Sequence, residues 1–252
     1  MQIVRFRADG KTRYGALEGG AIAEYSGTPF TLFKRARKRY PARQVVLLAP
    51  VLPSKIIAIG LNYRDRLAAL RLPVPEEPVM FLKPVSALAG PDDPIVYPAQ
   101  SSCVDYEAEL AVVIRRRCRD VPVARAREYV LGYTCLNDVT ARDLREHDGQ
   151  WTRAKGFDTF CPIGPCIATN LDPGALTVES FLNGTARQSA STKEMVFSVE
   201  EIVASVSTVM TLLPGDVITT GTPPGTGPMQ PGDHVEVRID GIGSLRNTVV
   251  KL

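Results

Sequence analysis

Histidine is scarce in this chain: His147 and His234 are the only two in 252 residues. That excludes the His-rich zinc centres of many hydrolases, so a divalent ion here must be held mainly by oxygen, the donor that suits Mg²⁺, Mn²⁺ or Ca²⁺. The five cysteines (Cys103, Cys118, Cys135, Cys161 and Cys166) are odd in number and never spaced C-x-x-C. A disulfide framework and a zinc ribbon are thereby disfavoured, and a reducing compartment is expected. Long hydrophobic runs are missing too. Residues 45–52 form the longest, broken by Pro50 and too short to span a bilayer. The start, MQIVRFRADG, reads as a strand entering a turn and not as a leader, so the expected location is cytoplasmic, with no membrane partner.

Charge of one sign is also lacking: 30 Lys+Arg against 27 Asp+Glu leave a net +3. A chain so nearly neutral is a poor candidate for nucleic-acid binding, although Lys34, Arg35, Arg37, Lys38 and Arg39 crowd into one short run. Without interleaved stacking aromatics, that run reads as a solvated helix face or a dimer-surface patch.

What is present is the composition of a folded globular protein, 44% hydrophobic and 23% charged. Residues 1–50 read as a small β-rich unit, with alternating runs at 2–7, 14–18 and 21–25 joined by glycine turns. Pro50 and Pro53 punctuate the entry into a larger unit, 53–252. There, strand-like runs outnumber helical patterns, which are confined chiefly to 123–130, 139–148 and 198–213. The last shows Val199, Ile202, Val203, Val206, Val209 and Met210 at helical spacing before a Pro214-Gly215 stop. Strands and helices do not alternate regularly, which argues against a doubly wound parallel sheet and points to α+β with a mixed β-sheet or roll.

The chemistry concentrates in D-Y-E-A-E-L-A-V-V-I, residues 105–114. As a strand, this places Asp105, Glu107 and Glu109 on one face. Neighbouring carboxylates repel there, yet the strand continues as a wholly apolar, buried run. A cation between the carboxylates resolves the conflict; a solvated strand end is the plainer alternative. Asp138 ends another apolar run and is either a further ligand or a helix N-cap. Arg142 and Arg145 follow at i, i+3 spacing, and Lys155 lies in WTRAKGFD. The loop TTGTPPGTGP, residues 219–228, has no lysine and fails the phosphate-loop pattern; it offers hydroxyls and backbone N–H groups to an anion.

These segments together resemble the fumarylacetoacetate hydrolase family in its single-domain bacterial form. The likeness rests on KIIAIGLNYRD (55–65), EEPVMFLKP (76–84), DYEAELAVVI (105–114), GYTCLNDVTARDL (132–144), WTRAKGFDTFCPIGP (151–165), VMTLLPGD (209–216) and TTGTPPGTGP (219–228). It implies a mixed β-roll of the family type and a Mg²⁺ or Mn²⁺ ion on Glu107, Glu109 and Asp138 that chelates the 2-oxo carboxylate or β-dicarbonyl unit of a small substrate. It implies Lys155 beside the reacting oxygens, Thr222 on the substrate carboxylate, Arg142 as the helix arginine, and a homodimer.

Two positions depart from the family pattern. Where a lid helix usually carries His and, three residues later, Glu, this chain has Arg66 and Ala69; where the helix usually carries Gln, it has Arg145. His147 lies on another helical face and does not replace the missing base. A hydrolase needs a deprotonated water, and general-base assistance is worth about 10²–10⁴ in rate. Arginine, always charged, cannot supply it. Decarboxylation or keto–enol tautomerisation of a 2-oxo diacid needs mainly a stabilised enolate, and Arg66 and Arg145 suit a second carboxylate. C–C hydrolysis of an acylpyruvate, or a family member that has lost catalysis, are the alternatives.

Overall fold

Two-residue turns organise the beginning of the chain in the computed structural model, which describes residues 1–251. Strands Gln2–Ala8, Lys11–Glu18 and Ala21–Gly27 form successive antiparallel hairpins. Their turns, Asp9-Gly10 and Gly19-Gly20, have positive φ at both positions (50° and 69°, 55° and 80°), the conformation whose twist matches that of the flanking strands.

The basic run corrects the expectation of a helix face. Residues Phe33–Pro41 are a strand paired with Ala21–Gly27 at the edge of the sheet. Its burial does not alternate, and the pairing register shifts opposite Ala23–Tyr25: Tyr40 alone is buried, its ring edge-on to Phe6 at 5.3 Å, while the cations are exposed, Arg35 and Arg39 pairing with Glu18 and Lys38 with Asp9. Such solvent-screened pairs add little to stability. Their larger effect is to charge an edge that would otherwise invite another strand.

Gln2 and Ile3 pair with Cys161–Ala168, so the hairpins continue a twelve-stranded mixed sheet. Its middle runs through Val130–Asn137, Ala108–Ile114, Val217–Thr219 and Ile56–Gly60 to a second edge at Val79–Lys83. The strand Ala108–Ile114 is covered on both faces. Leu110, Val112 and Ile114 join one core with Val178, Val237 and Leu245 of a five-stranded sheet, while Ala111 and Val113 join a second core with Ile3, Ile163 and Ile167. Burial on both sides explains its unbroken apolar sequence.

Helices are few and short. Helix α1 (Arg64–Leu70) follows the strand Ile56–Gly60; α2 (Arg142–Asp148) and α3 (Thr152–Lys155) follow Val130–Asn137; α4 (Val199–Val209) covers the sheet. Ser198 caps α4 in a reciprocal capping box with Glu201. This helix ends before the Pro214-Gly215 signal because Leu212 leaves it to exchange backbone hydrogen bonds with Cys118 at 2.9 and 3.0 Å. The pattern at 123–130 settles as a 3₁₀ helix, Val123–Tyr129. Among the described residues no helix is long and apolar enough to cross a membrane.

Candidate metal centre and active site

The acidic run does not stay one strand. Val104–Tyr106 belongs to a small three-stranded sheet with Thr140–Ala141 and Gly227–Met229, and Ala108–Ile114 belongs to the large one. Glu107 stands at the break between them, its amide donating to the Asn137 side chain at 2.9 Å. The break separates the three acids. Asp105 turns to Arg142, whose Nε donates to it at 2.8 Å, while Glu107 and Glu109 converge with Asp138. Asp138 is not a cap: Thr140–Ala141 forms a short strand first, and the residue before α2 is Ala141. Instead the Asp138 backbone N–H donates to the Glu107 carbonyl at 2.9 Å, fixing one acid beside the other.

Glu107, Glu109 and Asp138 each bring a carboxylate oxygen within 4.8 Å of the others, and all three side chains are buried. Their surroundings divide them. Burial opposes ionisation of Glu107, but the charges of Lys155, Arg66 and Arg142 prevail and hold its carboxyl well below the ordinary range. Glu109 is pushed the other way, by burial and then by the charges of Asp138 and Glu107. It accepts a 2.9 Å hydrogen bond from the Gly221 backbone N–H. Three buried carboxyls crowded together, one disfavoured as a carboxylate by burial and by its neighbours' charges, form a donor set that a hard divalent cation fits. All the donors are oxygen, as the scarcity of histidine requires.

Lys155, at the end of α3, points its ammonium at Asp138 and, at 2.9 Å, at Glu107. Burial works against its charge, but these two acids outweigh burial and keep it protonated. Thr222 and Gly221 come from the 219–228 loop. Gly221 has φ +89° and lies so close to Asn62 that a Cβ would meet that side chain at 2.9 Å. This close approach lets a loop N–H reach Glu109; the loop's anion is thus, in part, the protein's own carboxylate.

Arg66 and Arg145 line the same cavity, together with Lys155, Thr222 and the three acids. Arg142 does not line it: its Nη2 lies 2.5 Å from Glu107 and it faces an outer cleft shared with Arg66, Ala69 and Arg145. The far wall is aromatic, with Phe81 and Trp151 edge to face at 5.0 Å. Gly60 allows this wall to close, since a Cβ there would meet Trp151 at 2.9 Å.

Three contributors escaped the sequence reading. Lys83 is a second buried ammonium, 2.7 Å from Asp138 and donating to the Lys155 carbonyl at 2.7 Å. A lysine closing an apolar strand in FLKP was the available signal. Gln188 donates to Thr222 Oγ1 and the Pro223 carbonyl, both at 2.8 Å, and accepts from the Ala108 amide at 3.0 Å. Asn62 donates to the Thr220 carbonyl at 2.8 Å. Neither amide stands out in sequence, because each acts on backbone brought from far along the chain.

Fold and site define the class: an α+β protein of mixed sheets whose buried carboxylate cradle opens into a cavity shared with Lys155, Arg66 and Arg145. The chain belongs to the fumarylacetoacetate hydrolase family. The family model "Fumarylacetoacetate (FAA) hydrolase C-terminal" matches residues 55–250, and "Rv2993c-like, N-terminal" matches residues 1–50. The chain is 42% identical to "Oxaloacetate tautomerase FAHD2A, mitochondrial" of Homo sapiens over 223 residues, 83% of this chain and 71% of that one. The structure of a 5-carboxymethyl-2-hydroxymuconate delta-isomerase from Mycobacterium smegmatis superposes with TM-score 0.94 at 46% identity, covering 100% of both chains. A maleylpyruvate hydrolase from Sphingobium sp. SYK-6, solved with manganese (II) ion and pyruvate, superposes with TM-score 0.84 at 34% identity, covering 100% of this chain and 99% of that one. Isomerase, hydrolase and tautomerase thus share this fold, and the reaction must be argued from the cavity.

Proposed function

We propose that the protein is a divalent-metal-dependent enzyme that acts on a 2-oxo acid or β-dicarbonyl substrate through an enolate, by keto–enol tautomerisation or decarboxylation. Glu107, Glu109 and Asp138 would hold the ion, Mg²⁺ or Mn²⁺. When bound, such an ion supplies positive charge where the enolate oxygen develops its negative charge. The protein's own groups do the rest. Thr222, fixed by Gln188, presents its hydroxyl to the substrate carboxylate; the Phe81–Trp151 wall excludes water; Lys155, held protonated by Asp138 and Glu107, donates a proton to the carbon beside the 2-oxo group of the enol or enolate.

The observation that carries the reading is the identity of the groups around the cavity. Its acids are the three members of the cradle, its remaining charged groups are Lys155, Arg66 and Arg145, and it contains no histidine. Decarboxylation of a β-oxo acid and ketonisation of an enol need a proton donor and no added base, whereas hydrolysis needs a base to deprotonate water. The similarity to a human protein named as an oxaloacetate tautomerase supports the same direction. The homodimer implied by the family resemblance belongs to this reading, and sedimentation velocity tests it.

The chemical test is to incubate Mg²⁺- or Mn²⁺-loaded protein with oxaloacetate and with acetylpyruvate. The reading expects oxaloacetate enolisation or decarboxylation above the protein-free rate and its loss with EDTA. Rapid acetylpyruvate cleavage without oxaloacetate turnover overturns it.

A further inference from the structure

Asp138 is gripped by two ammonium groups, one on each carboxylate oxygen. Lys155 meets Oδ2, and Lys83 meets Oδ1 at 2.7 Å. Lys155 lines the cavity and Lys83 does not, so the second ammonium stands behind the acid, away from the space a substrate would enter. It is walled in as well. Lys83 ends the edge strand Val79–Lys83, and its side chain has no exposed surface. A lysine rarely sits so deep, because lost hydration must be replaced by charge and hydrogen bonds.

Two of its N–H groups donate to main-chain carbonyls, that of Lys155 at 2.7 Å and that of Val139 at 3.3 Å. Toward Asp138 Oδ1 the ammonium makes an ion pair without the alignment of a hydrogen bond. Val139 follows Asp138 directly and Lys155 ends α3, so one buried side chain fixes the acid, the residue after it and the helix end that carries Lys155.

The same division runs through the cradle. Arg142 and Arg66 hold Glu107 Oε1 at 2.5 and 3.3 Å, and the Gly221 N–H holds Glu109 Oε2 at 2.9 Å. Each acid thus has one oxygen engaged by the protein's own donors. The second oxygens of Glu107 and Asp138 turn to a common point, where both meet Lys155 Nζ.

Resting on the proposed metal centre, we infer that Lys83 is a positioning residue that makes Asp138 a one-oxygen ligand and so sets the cradle against calcium. Ca²⁺ takes up to eight oxygens and accepts both from one carboxylate, whereas Mg²⁺ requires six in a near-octahedral array. An ammonium 2.7 Å from Oδ1 keeps a second cation off that oxygen, by charge and by space. Single oxygens from three acids suit a six-coordinate ion and undersupply calcium. Two simpler roles predict otherwise: as a mere countercharge to the acids, Lys83 weakens every divalent ion alike; as a mere strut, it strengthens every ion alike.

The experiment titrates metal-free protein with Mn²⁺, followed by its electron paramagnetic resonance signal, and then displaces it with Mg²⁺ or with Ca²⁺. In Lys83→Met, uncharged and of similar volume, the ratio of the Ca²⁺ Kd to the Mg²⁺ Kd should fall by about 10-fold. Lys83→Gln, which keeps a donor for the carbonyls, should shift the ratio the same way, and it carries the test if the Met variant does not fold. A ratio within about twofold of wild type, whether both ions bind tighter or weaker, overturns the inference and leaves the metal centre standing. Failure of both variants to fold assigns Lys83 to the fold alone and overturns it too. Wild-type protein that takes up no Mn²⁺ overturns the metal centre and the inference together.

Discussion

The Arg66 guanidinium lies 3.3 Å from Glu107 Oε1 while it also donates to the Pro223 carbonyl, tying the short helix α1 to both the carboxylate cradle and the 219–228 loop. Arg66 thereby joins three parts of the site. It sets a positive charge beside Glu107, the acid whose ionisation Lys155, Arg66 and Arg142 support.

Reinstating the family's lid His and Glu should restore hydrolysis. In Arg66→His/Ala69→Glu, the two new side chains lie one helical turn apart on α1 and face the cleft that residues 66 and 69 already line. Acetylpyruvate cleavage, followed by loss of its enol absorbance, should rise by about 10²-fold over the parent. If cleavage stays at the parent level, the missing dyad is not what limits hydrolysis in this chain.

Metal should reveal itself in stability before any substrate is known. The Glu109 carboxyl is raised by burial and by Asp138 and Glu107, so without an ion it is held ionised only at a cost. Saturating Mg²⁺ or Mn²⁺ at about 100 times Kd adds about 2.7 kcal/mol, a Tm rise of about 5–10 °C for a chain of this size. Glu109→Gln keeps an acceptor for the Gly221 N–H but removes one of three like charges. Its Tm without metal should equal or exceed that of wild type, and its rise with metal should shrink to under about 2 °C. A wild-type Tm unmoved by either ion would remove the cradle as a metal centre.

Much of this site was legible because its logic is local. Glu107 and Glu109 interrupt a strand that is otherwise apolar, and Asp138 ends another; such conflicts between charge and burial show in sequence. The glycine turns between the first strands and the helical spacing of Val199, Ile202, Val203 and Val206 were legible for the same reason. The basic strand Phe33–Pro41 was not, since a run of alternating and adjacent cations fits a helix face as well as an edge strand, and only its pairing with Ala21–Gly27 decides. Asp105 was read with the other two acids because period two continues through it; the change of sheet at Glu107, which sends it to Arg142, is a tertiary event. Gln188 sits on an exposed-looking strand, and its role depends on a loop 34 residues away.

Removing Gln188 should loosen that loop. Gln188→Leu strands the Ala108 N–H and frees Thr222 and the Pro223 carbonyl in a buried setting. The expected destabilisation is about 1–3 kcal/mol, read as a fall in Tm of about 3–10 °C. Because Thr222 loses its orientation, KM for the 2-oxo acid should rise several-fold more than kcat falls. An unchanged KM would separate Thr222 from the substrate.

Thiol reactivity tests the packing independently of function. Burial pushes the Cys161 and Cys166 thiols up to about 12 and raises Cys135 and Cys118 as well. A thiol at about 12 is ionised to only about one part in 10⁴ at pH 8, and the thiolate is the reactive form. Cys103 is the one partly exposed cysteine; burial and the Asp105 carboxylate, 3.6 Å from its sulfur, raise it too. In native protein at pH 8, Ellman's reagent should therefore label a single thiol, slowly, and the full five should appear only in denaturant. The rate at Cys103 should increase in Asp105→Asn, because the variant removes a negative charge that opposes the thiolate, although the same change also frees Arg142. Fast labelling of Cys135, Cys161 or Cys166 in native protein, located by peptide mapping, would mean that the central strands Val130–Asn137 and Cys161–Ala168 open far more readily than their burial allows.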